Sequence, residues 1–151
     1  MKQRLDAMKF APDAYQNLVA IETYLANSGL EHSLIHIVKL RASQINGCAF
    51  CIDMHWKDAR AAGETEQRLY GLDAWEESPY YNERERAALA YTESVTRVSE
   101  THVPDATFET VRAKFSEKET VDLTVLIAMI NAWNRIAISL RMTPGHYKPR
   151  S

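Results

Sequence analysis

The sequence predicts an all-α fold, a compact bundle of about six or seven helices in one domain. Three observations carry this. Apolar residues recur at helical spacing in segment after segment. Helix-start signals precede those segments. The run Val125-Leu126-Ile127-Ala128-Met129-Ile130 is apolar on every face, as expected of a helix walled in on several sides.

The elements follow in order. Residues 1–11 are expected to be an extended lead-in. Pro12-Asp13 starts a helix through Tyr15, Leu18, Ile21 and Leu25, which Asn27-Ser28-Gly29 ends. A second helix is expected over 33–45, with Leu34, Ile37, Val38, Arg41 and Ile45 close together on it. The breaker pair Asn46-Gly47 separates it from a third, CAFCIDMHWKDARAAG, which stops at Gly63. These two form a helical hairpin with the cysteines at its junction. A short helix follows around 66–72. Asn82 with Glu85 forms a capping box for a helix running to about Val98. Val103-Pro104-Asp105 starts another, ending near Phe115. Ser116 with Glu119 opens the last helix, over 117–140. Pro144-Gly145 closes the helical part, leaving 146–151 as a tail. The whole chain, 1–151, reads as a single domain.

Composition narrows the function. A net charge of −2 gives no argument for nucleic acid or an acidic membrane surface, so neither is expected as a partner. No apolar run is read as long enough to span a bilayer, and MKQRLDAMKF is not a signal peptide, so a cytoplasmic protein is expected. Both cysteines, Cys48 and Cys51, lie three residues apart. Without an export signal such a pair reads as catalytic or metal-binding, not as a structural disulfide.

In a helix, Cys48, Cys51 and His55 stand at i, i+3 and i+7 and share one face, at about 100° per residue. Cys48 falls in the first turn, where free N–H groups and the helix dipole favour a thiolate. His55 is placed to take or return a proton. Lys39 and Arg41 are read as solvated or paired. Gln44 is read as a hydrogen-bonding partner of the turn backbone. Trp75, Tyr80 and Tyr81 are read as packing residues rather than the cover of a site. His32, His102 and His146 are read as exposed, and Asp53 as a partner of Lys57. Asn131, Asn134 and Arg135, following the apolar run, are expected to join elements through hydrogen bonds.

The run Leu40-Arg41-Ala42-Ser43-Gln44-Ile45-Asn46-Gly47-Cys48, with Ala49-Phe50-Cys51-Ile52-Asp53-Met54-His55 after it, resembles the core of the AhpD-like alkylhydroperoxidases of the carboxymuconolactone decarboxylase superfamily. The likeness is dense over 36–63 and looser through 83–89 and 131–135. It implies an oligomeric all-α enzyme, a trimer or hexamer, that reduces a hydroperoxide with its cysteine pair. By that resemblance Cys51 is the attacking thiolate, Cys48 the resolving thiol and His55 part of a proton relay. The family commonly places a glutamate twelve residues ahead of the first cysteine. This chain has His36 there, a second candidate for the relay. No cofactor is implied, only an external thiol reductant. Three alternatives stay open: a dithiol oxidoreductase without a peroxide substrate, an inactive helical oligomer, and a metal site built from His36, Cys48, Cys51 and His55.

Overall fold

The computed structural model describes residues 2–149. Among these the fold is all-α, with helices α1 (Ala7–Phe10), α2 (Pro12–Ala26), α3 (His32–Asn46), α4 (Ala49–Ala61), α5 (Glu66–Tyr70), α6 (Glu83–Thr96), α7 (Val98–Thr101), α8 (Asp105–Arg112) and α9 (Glu117–Leu140), and a 3-10 turn at Gly71–Ala74. Six of these run to eight residues or more, as the periodicity predicts. The other three, α1, α5 and α7, are single turns. The lead-in is not wholly extended: the Asp6 carboxylate accepts from the N–H groups of Met8 and Lys9 and nucleates α1. The helix expected to run to Val98 breaks at Arg97, and α7 follows.

Helix α3 is the hub and packs against α4, α6 and α9. Its Leu34, Ile37, Val38 and Leu40 are buried with Leu89 of α6 and Leu123, Leu126 and Ile127 of α9. The capping boxes at Asn82/Glu85 and Ser116/Glu119 both form, which sets where α6 and α9 begin. Trp75 and Tyr81 are buried in this main core. The Trp75 indole donates to Glu93 at 2.8 Å and the Tyr81 hydroxyl to the Arg68 carbonyl. They pack, as expected, and line neither of the clefts beside the cysteines.

One expectation needs correcting. Helix α9 does reach the length and mean hydropathy, 1.5, of a bilayer-crossing segment. Its apolar character is that of a core helix. Leu123, Leu126, Ile127 and Ile130 are fully buried, and Thr120, Asp122, Asn131 and Asn134 are buried with hydrogen-bond partners in the fold.

Candidate active site

The turn that presents the cysteines follows from one glycine. Gly47 sits at φ +68°, in the left-handed region that a side chain disfavours. Its N–H donates to the Gln44 carbonyl at 3.1 Å, and the Cys48 N–H donates to the Ser43 carbonyl at 3.0 Å. This paired closure ends α3 and leaves Cys48 as the N-cap of α4. The Gln44 side chain does not cap the turn as expected. Its Oε1 accepts from Arg41 at 3.3 Å, and the main chain makes the closure instead.

Cys48 and Cys51 are free thiols, each 1% exposed, with their sulfurs 2.7 Å apart. The Cys48 sulfur also accepts from the Cys51 N–H at 3.4 Å. The hydrogen bond between the two sulfurs, together with that N–H and the Asn134 amide, brings Cys48 down to about 7. The same hydrogen bond, burial and the charge on Cys48 push Cys51 up. The first ionisation therefore belongs to the pair, one proton shared between two sulfurs with the negative charge resting on Cys48.

Three residues pin this junction to α9. The Asn134 amide donates to the Ser43 hydroxyl at 3.0 Å, and its carbonyl oxygen accepts from Asn46 at 2.8 Å. Asn46 donates also to Asn131 at 2.9 Å. Arg135 donates back to the Asn131 side chain at 3.1 Å. The polar residues after the apolar run thus join elements, as expected, and the Asn134 amide additionally favours the ionised form of both thiols.

His55 is buried beside the pair. Burial first, then the charges of Lys39 and His36, holds its pKa well below the ordinary imidazole value, so it is neutral near pH 7. Its Nδ1 lies 3.8 Å from Asp58, whose other oxygen accepts from the Tyr147 hydroxyl at 2.6 Å. His36 is half-buried and lines no cleft at the thiols. Its pKa is lowered chiefly by burial, against the opposing charge of Asp58. His32, His102 and His146 are exposed.

The cysteines open onto two clefts. Cys51 lines one of about 330 Å³, together with His55, Asp58, Glu22, Lys39 and Tyr147. Cys48 lines another of about 640 Å³, together with Arg4 and Arg141. Phe50, Ala137 and Met142 border both and form the wall between them. Lys39 is paired with Glu22, which also accepts from the Trp133 indole at 2.9 Å. Arg41 is paired with Glu93, at 2.8 Å, and Asp73. Asp53 accepts from Lys57 at 2.8 Å, as expected. Among the described residues, no three His, Cys, Asp or Glu side chains are arranged to hold a metal ion.

Sequence reasoning missed Glu22, Asp58 and Tyr147. Each comes from a different place in the chain: α2, the turn of α4 after His55, and the segment after α9. Only Asp58 carried a local signal, lying at i+3 from His55.

A buried Cys-x-x-Cys dithiol at the head of a helix, with a neutral histidine one turn on and an all-helical frame around it, defines an AhpD-like dithiol protein. The chain belongs to the carboxymuconolactone decarboxylase family, whose model matches residues 12–94. It is 43% identical over 140 residues to the uncharacterized protein YdfG of Bacillus subtilis, covering 93% of this chain and 95% of YdfG. It is also similar to a solved protein of unknown function from Agrobacterium tumefaciens, suggested to be the antioxidant defence protein AhpD. There the identity is 49%, the TM-score 0.93, and the match covers 97% of this chain and 100% of the other. A peroxidase-related protein from Silicibacter shares the fold at a TM-score of 0.82 and 23% identity, covering 93% and 74% of the two chains.

Proposed function

We propose that this protein is a thiol-dependent peroxidase of the alkylhydroperoxide reductase type. The observation that carries the reading is the buried pair itself: two free thiols in contact, one brought down to about 7, beside a neutral histidine. The antioxidant-defence suggestion made for the Agrobacterium relative supports it.

The hydroperoxide enters the Cys51 cleft, where His55 lies. The shared proton moves to Cys48, and the Cys51 thiolate attacks the terminal peroxide oxygen. The S–O bond forms, the O–O bond breaks, and Cys51 becomes a sulfenic acid. A proton from solvent protonates the departing alkoxide through the neutral His55 ring, which accepts at one nitrogen as it donates from the other. Asp58, 3.8 Å from His55 and opposing the lowering of the His36 pKa, links the two histidines, and His36 acts through it and not on the thiols. Cys48 then attacks the sulfenic sulfur. A disulfide forms, and the released hydroxide takes the Cys48 proton to leave as water. An external thiol restores the dithiol. No cofactor takes part in this cycle. We place the protein in the cytoplasm, where thiols are kept reduced. From the family resemblance we infer a homo-oligomer, a trimer or hexamer, which light scattering would size.

The test is consumption of an organic hydroperoxide by pre-reduced protein, with thiols counted before and after and metal measured on the same sample. Loss of two thiols per chain with matching peroxide consumption is expected. Thiols that stay intact sink the reading, and peroxide consumption undiminished in Cys51→Ser sinks the choice of nucleophile. Bound zinc with unreactive thiols would favour the metal site instead.

A further inference from the structure

The two sulfurs, in contact with each other, face different clefts. Only Cys51 shares its cleft with the proton-handling groups. Cys48 shares the larger one with Arg4 and Arg141 and with no acidic residue. Most other arginines hold carboxylates: Arg41, Arg60, Arg68, Arg84, Arg97 and Arg112 all form ion pairs. Among the described residues Arg4 and Arg141 form none. Arg4 is nevertheless positioned, its guanidinium donating to the Ser139 carbonyl at 3.0 Å and its N–H to the Leu140 carbonyl at 2.9 Å. Arg141 follows directly, as the C-cap of α9. Two cations without counter-ions beside an otherwise apolar cleft attract an anion there.

We propose that the Cys48 cleft receives the electron donor, and that the donor is a small thiol bearing a carboxylate, held by Arg4 and Arg141. This rests on the disulfide cycle proposed above. The donor thiolate attacks the Cys48 sulfur of the Cys48–Cys51 disulfide. The intramolecular S–S bond breaks, a mixed disulfide forms at Cys48, and Cys51 leaves and takes a proton. A second donor thiolate attacks the donor sulfur of that mixed disulfide. This releases the donor disulfide and a Cys48 thiolate, which its low pKa makes a good leaving group. Two thiols supply the two electrons. Peroxide and donor thus reach one cysteine pair from opposite sides of the Phe50–Met142 wall.

The experiment uses full-length protein oxidised with diamide, so no peroxide turnover is needed. Its reduction is timed with mercaptopropionate, with the neutral mercaptopropionamide and with cationic cysteamine, at equal thiolate concentrations and low salt. Mercaptopropionate is expected to react about tenfold faster than the amide, and cysteamine slowest. The preference should fall to parity at high salt and in Arg4→Gln/Arg141→Gln, and persist in Arg4→Lys/Arg141→Lys, which keeps the charge. Equal rates in the unmodified protein, or a preference unchanged in the glutamine variant, overturn the proposal. Trapping reads the face directly. Cys51→Ser should form a mixed disulfide with the donor's own disulfide, dithiodipropionate, releasing one mercaptopropionate, far faster than Cys48→Ser, and equal capture overturns the assignment. An intact donor preference in a protein that consumes no peroxide removes the peroxidase reading and leaves the donor site. Peroxide turnover without a donor preference does the reverse.

Discussion

The two halves of α9 are built on opposite principles. In the first, Leu123, Leu126 and Ile127 are fully buried against α3 and α6, and the contact is non-directional apolar burial. In the second, Asn131 and Asn134 cross to Asn46 and Ser43 through hydrogen bonds of 2.8–3.0 Å. Apolar burial holds helices together but tolerates small slides. An amide with its donors and acceptors all engaged tolerates few. The polar half therefore sets where the α3–α4 turn, and with it the dithiol, sits. Its net contribution to stability is smaller, because those amides give up water to form their bonds.

The contrast can be broken at either half. Leu126→Ala should have the largest effect on stability, about 2–5 kcal/mol, read by urea unfolding, while the Cys48 titration stays in place. A thiol titration that moved as far as in the polar half would end the division of labour. Asn134→Ala should cost less, about 1–3 kcal/mol, and should raise the Cys48 pKa, followed by thiolate absorbance against pH. A Cys48 titration unchanged in that variant would show that the amide only joins helices.

Acid should act on the polar half. The Cys48 pKa is lowered to about 7 from 9.0, so its stabilisation is full above the unfolded value and is lost as pH falls from 9 through 7. The lowered pKa of His55 adds in the same sense, with loss beginning below its ordinary 6.5, because the unfolded chain then binds a proton that the buried ring does not. Unfolding followed across that range should show stability falling as pH drops. Most of the loss between 9 and 7 should vanish in Cys48→Ser. The smallest effect is expected away from both halves. Asp53→Asn removes a partly exposed bridge to Lys57 and should cost about 0.3–0.5 kcal/mol in the same unfolding assay.

The helical frame was legible because its signals are local. Two capping boxes, the Asn46-Gly47 break and the apolar run each act within a few residues, and each appears where expected. The Cys48, Cys51, His55 face was legible for the same reason, since helical geometry alone brings i, i+3 and i+7 together. The short helix α1 escaped because one side chain, Asp6, nucleates it without any apolar period. The break after Thr96 escaped because residues on either side continue the helical pattern.

The sequence by itself determined the class of fold, the position of the dithiol at a helix start and the proximity of one histidine. Only the tertiary structure decided the rest of the site. Glu22 reaches it from α2, Asn134 from α9 and Tyr147 from the segment beyond, across separations that no periodicity encodes. It also decided that His36 lines no thiol cleft, and that the two sulfurs open onto separate clefts. The physical reason is that helix propensity, capping and periodicity are near-neighbour effects. Which faces meet, and so which charges share a buried space, depends on how whole helices pack.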